Sequence, residues 1–228
     1  MSSPQTIVIA IDGPSGSGKS TASRNTARRL GFIHVDTGAM YRTVTWAVLN
    51  AGIAPEDMAA VIVLLPKLAI EPRVNNGSVQ WWVDGKFPEQ EIRSPRTEAG
   101  VSAVSAIPEV RAWCVAKQRE ATKLGNLVVE GRDIGTVVFP QTPHKFFLTA
   151  SAEVRAQRRQ RDLEKLLFKQ SVDQVAKGLI ERDRKDSSRA HSPLKVAEGA
   201  MVIDTSHNTV EETAEQIMAA LRRQGVTR

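Results

Sequence analysis

The sequence predicts an α/β fold: a five-stranded parallel sheet with helices on both faces. Three observations point there. Short apolar, β-branched runs recur along the chain, stretches of helical periodicity separate them, and glycine or proline stands where one element should hand over to the next. Hydrophobic residues make up 41% and charged residues 25% of the 228 residues, an ordinary globular balance that permits a sizeable core.

The elements follow in order. Ile7–Ile11 reads as a buried parallel strand, followed by a glycine-rich turn and a helix to about Leu30 that Gly31 stops. Phe32–Val35 reads as a second strand, and a helix from about Ala39 to Ala51 ends at Gly52. Pro55-Glu56-Asp57 opens a further helix. From about Leu68 to Arg93 the rhythm breaks. Leu68–Val74, Ser78–Val83 and Lys86–Phe87 read as short strands, joined by the hairpin signals Asn75-Asn76-Gly77 and Asp84-Gly85. This predicts a small antiparallel insert with Trp81 and Trp82 on opposite faces. Pro108 begins a long helix to about Leu124, which Gly125-Asn126 ends. Leu127–Glu130, Lys145–Leu148 and Met201–Asp204 supply the remaining strands, and an amphipathic helix covers about Thr209–Arg222. No internal repeat, low-complexity tract or linker divides the chain, so 1–228 is expected to be a single domain.

Charge narrows the function classes. Lys and Arg number 31 against 25 Asp and Glu, giving +6 and suiting anionic partners: nucleic acid, a membrane surface or polyphosphates. Single Cys114 excludes an internal disulfide and a cysteine-rich zinc site, and its place in the helical run Val110–Thr122 suggests a packed thiol. Met1–Gln5 is short and polar, Ile7–Ile11 is too short for a signal-peptide core, and no run approaches bilayer length. The expected compartment is the cytosol.

Gly13-Pro14-Ser15-Gly16-Ser17-Gly18-Lys19-Ser20-Thr21 carries the decisive chemistry. It fits the pattern Gly, four residues, Gly-Lys-Ser/Thr, with a buried strand before it and a helix after. Glycines let backbone N–H groups turn inward around phosphate oxygens, and the helix start points its positive end at the same anion. Lys19 should reach the outer phosphates of a bound nucleotide, and the Ser20 hydroxyl should ligate magnesium. The guanine-reading pattern Asn-Lys-x-Asp and an Asp-Glu-x-Asp/His motor signature are both absent from the sequence.

Two further segments sit at predicted strand ends, where α/β sheets place ligands. In Asp36-Thr37-Gly38-Ala39-Met40-Tyr41-Arg42, Thr37 can cap the following helix and Arg42 can pair with a second phosphate. In Glu130-Gly131-Arg132-Asp133, Arg132 offers a planar fork for phosphate. Asp133, acceptor-only when ionised, can receive the exocyclic amino group of cytosine or adenine; a structural salt bridge is the competing account. Arg155, Arg158 and Arg159, with Arg161 close behind, and the mixed-charge run Glu181–Arg189 read alone as solvated helix faces. Beside a phosphate loop they suggest a lid that closes arginines over a transferring phosphoryl group.

These motifs, together with Gly135-Thr136-Val137-Val138-Phe139-Pro140 and Glu181-Arg182-Asp183, closely resemble the bacterial cytidylate kinase family across nearly the whole chain. The resemblance implies a phosphate-loop kinase with an insert for the nucleoside monophosphate at roughly 68–105 and a lid at roughly 155–170. It also implies that Ser102, Arg111 and Asp133 read cytosine, and that Arg42, Arg132 and Arg189 hold the acceptor phosphate beside Thr37. Arg182 and Asp186 would approach the sugar. The implied reaction moves the γ-phosphoryl of ATP onto CMP or dCMP, with Lys19, Arg132, Arg158 and Arg159 supplying the positive field beside magnesium. The family more often has serine at the Thr37 position, a departure that keeps the hydroxyl. Partners would be small nucleotides, with neither nucleic acid nor membrane, and the resemblance points to a monomer. A kinase for UMP, AMP or shikimate is the nearest rival. A non-kinase nucleotide switch and a nucleic-acid binder stand further off, since neither a helix-turn-helix nor an aromatic base platform is evident.

Overall fold

Strand β1 (Val8–Asp12) turns Val8 and Ala10 to one face of a sheet and Ile9 and Ile11 to the other, and both faces are covered. The computed structural model describes residues 6–165 and 171–227. The other strands are β2 (Ile33–Asp36), β3 (Ile70–Asn75), β4 (Ser78–Val83), β5 (Leu127–Gly131), β6 (His144–Thr149) and β7 (Met201–Asp204). Their order in the sheet is β3-β4-β2-β5-β1-β6-β7.

The five parallel strands expected from the apolar runs are β2, β5, β1, β6 and β7. The sheet as a whole departs from the expectation: it has seven strands and is mixed. The segment read as a separate antiparallel insert contributes its hairpin to the same sheet. Asn76 and Gly77 both take positive φ (47° and 71°), the geometry of a tight hairpin turn, and β3 and β4 pair antiparallel around it. The free edge of β2 then captures β4, with the His34 N–H donating to the Gly77 carbonyl at 2.9 Å. Trp81 is fully buried and donates from its indole to the Asp36 carbonyl at 3.1 Å. Trp82, on the other face, lies under the Arg73 guanidinium, 4.1 Å from its ring centroid. The expected third strand at Lys86–Phe87 is only a single bridge to Val83; Pro88 follows at once and has no N–H with which to continue a ladder. On the outer edge, Pro72 of β3 stands opposite Trp81.

Two cores sandwich the sheet. On one side α2 (Thr37–Asn50), α4 (Pro95–Val104) and α5 (Pro108–Glu120) pack Met40, Val44, Val48, Val101 and Cys114 against Ala10, Val35 and Val129. The Cys114 thiol is buried as expected, and burial pushes its pKa above the usual thiol range. On the other side α1 (Lys19–Leu30) and α8 (Val210–Arg223) set Ala22, Leu30, Ile217 and Leu221 on Ile9, Ile11, Val128 and Leu148. A fully buried side chain of this size stabilises by about 1.5–3 kcal/mol, so these two layers hold most of the fold. Helix α8 starts with a capping box between Thr209 and Glu212. The short α3 (Met58–Leu64) lies between α2 and the hairpin.

A third, smaller cluster joins α6 (Ala152–Lys165) to α7 (Val172–Ser187) through Ala156, Val175 and Leu179. The lid expected at 155–170 therefore falls on all of α6 after its first three residues; its residues 166–170 lie outside the described residues. Among the described residues, no helix is long and apolar enough to cross a membrane.

Candidate active site

The carboxyl ends of β1, β2 and β5 open on a cavity of about 650 Å³ whose walls are unusually rich in arginine. Where β1 ends, the chain cannot continue with an ordinary side chain. A Cβ on Gly13 (φ 147°) would stand 2.0 Å from the Leu148 carbonyl oxygen, and one on Gly16 (φ 78°) would stand 2.8 Å from that of Arg155. Helix α1 follows with no side chain capping its amino end, so its first N–H groups remain available to an anion. Ser15, Gly16, Gly18, Lys19, Ser20 and Thr21 line the cavity, while Gly13, Pro14 and Ser17 shape the loop from behind.

Lys19 is buried and folds back to donate to the Pro14 carbonyl at 2.6 Å. Burial, with nearby Arg132, lowers its pKa well below the usual lysine value; Glu130 and Asp12 pull the other way. An incoming polyphosphate would restore the favoured charge. The Ser20 hydroxyl donates to Glu130 Oε2 at 2.7 Å, and the other Glu130 oxygen meets His34 Nε2 at 2.9 Å. Asp12 accepts the N–H groups of Ile134 and Gly135, both at 2.8 Å, which ties the end of β1 to the turn that presents Arg132 and Asp133. Burial pushes the Asp12 pKa up to about 6, against the pull of those two donors.

The opposite wall is built from α2, α5 and α7. Thr37 does not cap α2: Asp36 does so, accepting from the Ala39 N–H at 2.9 Å. The Asp36 carboxylate sits one residue earlier, at the non-helical position that capping requires. The Thr37 hydroxyl donates instead to the Glu130 carbonyl at 2.7 Å. Arg111 and Asp133 form a close, buried ion pair, and Arg111 also donates to the Ser105 carbonyl at 3.2 Å. Asp186, likewise buried, holds Arg132 at 3.1 Å on one oxygen and Arg189 on the other. Ser102 does not line the cavity; Ser105 does, within 3.4 Å of an Arg189 donor.

The third wall is α6. Arg158 clasps Thr205 through both its hydroxyl, at 2.9 Å, and its carbonyl, at 2.7 Å. Arg159 reaches Glu98 at 3.2 Å. Arg155 does not share their face: it points inward, paired with Asp183 and donating to the Ser15 carbonyl at 3.2 Å. It buttresses the phosphate loop from outside the cavity.

Sequence comparison decides the assignment. The family model for cytidylate kinase matches residues 9–223. The chain belongs to the cytidylate kinase family. It is 43% identical over 218 residues to cytidylate kinase of Caldanaerobacter subterraneus subsp. tengcongensis, covering 96% of each chain. It is 48% identical over 213 residues to cytidylate kinase of Corynebacterium efficiens, covering 93% of each. Among solved structures, TT1252 from Thermus thermophilus shares the fold at a TM-score of 0.50 and 20% identity, covering 96% of this chain and 98% of that one.

Within this cytidylate kinase frame, three participants had escaped the sequence reading. Asp12 stands at the end of β1, immediately before Gly13, where a lone carboxylate reads only as a strand end. His34 left one signal, a polar side chain in the short apolar run of β2. Glu98 left none, because Ser94-Pro95 followed by an acidic residue reads fully as the start of a helix, and Ser94 does cap α4.

Proposed function

We propose that this protein transfers the γ-phosphoryl group of ATP to CMP or dCMP, releasing ADP and CDP or dCDP. One observation carries the reading. A phosphate loop and a buried Arg111–Asp133 pair face each other across a single arginine-walled cavity, in a member of the cytidylate kinase family.

ATP occupies the loop, its phosphates meeting the N–H groups of residues 15–21, and Lys19 exchanges the Pro14 carbonyl for phosphate oxygens. The Ser20 hydroxyl and the Glu130 carboxylate, 2.7 Å apart, are hard oxygen donors that fit magnesium, which needs few protein ligands beside phosphates. Magnesium bound there with ATP would supply charge neutralisation on the phosphate oxygens. The acceptor's base meets Asp133 and Arg111: the carboxylate accepts the exocyclic amino group of cytosine, and the guanidinium donates to the adjacent ring acceptors. Uracil offers a carbonyl where the amino group stands and so faces Asp133 with a repulsive contact. Arg42, Arg132 and Arg189 hold the acceptor phosphate near Thr37, with Arg182 and Asp186 toward the sugar.

An acceptor phosphate oxygen then attacks the γ-phosphorus, and the bond from that phosphorus to the β–γ bridging oxygen breaks. The nucleophile is already anionic, so no strong general base is needed. Alignment and the positive field of Lys19, Arg132, Arg158 and Arg159 do the rest. The segment 68–105 serves as the acceptor-binding side and α6 with α7 as the lid.

Consumption of ATP with magnesium is measured against CMP, dCMP, UMP, AMP, GMP and buffer. High turnover with CMP and dCMP, low turnover with UMP and little elsewhere is expected. Equal rates across the panel would remove the cytosine-reading role and leave only the nucleotide-binding loop.

A further inference from the structure

Glu98, on the first turn of α4, has no part in the mechanism above, yet no other carboxylate among the described residues pairs with three arginines. One oxygen takes the Arg42 Nε at 3.2 Å, and the other takes Arg182 at 2.7 Å and Arg159 at 3.2 Å. The three partners come from α2, α7 and α6, and all three line the cavity. Glu98 itself sits behind that lining with its side chain 27% exposed.

Guanidinium forks from three separate elements converging on the oxygens of one anion make the arrangement expected around a phosphate group. Such a cluster is unfavourable when empty, because buried like charges repel. Burial already lowers the Arg182 pKa to about 10, with Arg42 and Arg132 adding to the effect and Glu98 opposing it. Burial works to raise the Glu98 pKa, but Arg42, then Arg182 and Arg159, hold it far below the usual carboxylate range. Glu98 is therefore ionised throughout the physiological range and carries one negative charge. A phosphate monoester near neutral pH carries about 1.5 to 2 and three acceptor oxygens.

We propose that Glu98 is an internal stand-in for the acceptor's phosphate: in the free protein it holds Arg42, of the acceptor-phosphate set, together with the neighbouring Arg159 and Arg182, and it must release Arg42 when a phosphomonoester binds. This rests on the assignment of the arginine wall to the acceptor. The consequence is a selectivity filter on charge. A monoanion no better than a carboxylate gains nothing by displacing Glu98, whereas a nucleoside monophosphate dianion does. Release also frees Arg159, on α6, and Arg182, on α7, so acceptor binding and lid position become one equilibrium.

The test is Glu98→Gln, which keeps the shape and one acceptor oxygen but removes the charge. Binding of CMP and of inorganic phosphate to the free protein is measured by titration calorimetry without ATP, alongside the KM for CMP. The dissociation constants for both ligands, and the KM, are expected to fall by about three- to tenfold, with ATP binding unchanged. Weaker or unchanged binding of both ligands would overturn the proposal, because Glu98 would then be building the arginine cluster or idle. Glu98→Asp, which retracts the charge by one methylene, is expected to tighten phosphate less but in the same direction. It serves should the glutamine variant fail to fold, and loosening by it would count against the proposal equally. If the native protein ignores CMP while the variants still tighten inorganic phosphate, the acceptor assignment fails and the stand-in survives.

Discussion

At the scale of single residues, the site pairs its buried arginines with carboxylates before any ligand arrives. Arg111 and Asp133 hold each other, Asp186 holds Arg132 and Arg189, and Glu98 holds three more arginines. Removing one member of such a pair strands the other, so truncation would confuse stability with recognition. The informative change at Asp133 is therefore Asp133→Asn, which keeps the shape and one acceptor. It is expected to raise the KM for CMP about tenfold or more, the scale of one charge-assisted hydrogen bond, and to leave the KM for ATP within about twofold. Initial-rate kinetics with each substrate varied in turn measure both, and an equal rise in the two would remove Asp133 from base recognition. Asp133 also shows where sequence reading stops. Its position between two glycines at a strand end marked it as ligand material, and a salt bridge was the rival. The structure contains the salt bridge, and a base can still use the same carboxylate, so the two alternatives were never exclusive. Ser102 and Ser105 differ for another reason: they lie three residues apart near the end of one helix, and small shifts in its roll decide which one faces the cavity.

At the scale of elements, the hairpin is the feature that most changes the picture. Its strands were legible because Asn-Gly fixes a two-residue turn and Trp81-Trp82 must split between faces. Its attachment to the sheet was not, because the edge a hairpin chooses depends on which backbone donors another strand leaves open. Here β2 leaves them open, and Trp81 completes the joint by donating to Asp36, the residue that caps α2. Trp81→Ala is expected to cost about 3–5 kcal/mol, for the lost ring and its cavity, as read by urea unfolding at neutral pH. Because the lost contact ends on Asp36, the KM for the acceptor should rise more than that for ATP; a variant as stable as the native chain would show that the tryptophan is not part of the joint. The five parallel strands needed no such help. Each is buried on both faces, so continuous apolar runs give them away.

At the scale of the whole molecule, stability should depend on pH through carboxylates that folding shifts in opposite directions. Burial works to raise the pKa of Glu98 and Asp36, but their arginine partners prevail and hold both below their ordinary values of 4.5 and 3.8. Their stabilisation is present above those values and is lost as the pH falls below them. Asp12 runs the other way. Its folded pKa of about 6 exceeds the ordinary 3.8, so its contribution is present in acid and is lost as the pH rises through 6. The urea midpoint is expected to be highest near pH 4 to 5, with a steep fall on the acid side and a smaller one on the alkaline side that is complete soon after pH 6. Glu98→Gln should soften the acid limb and Asp12→Asn the alkaline one. A midpoint that is flat from pH 3 to 8 would contradict both assignments.

Pro72, placed in the outermost strand opposite Trp81, has a bearing on how these molecules behave in a crowded solution. An edge strand exposes a row of backbone donors and acceptors that could template a neighbour's strand, and the end product of such templating is aggregation. Proline interrupts that row, since it has no N–H to offer, and β3 keeps Glu71 and Arg73 on either side of it. By capturing the hairpin, the parallel core exchanges a smooth, self-adhesive border for one that a second copy cannot extend.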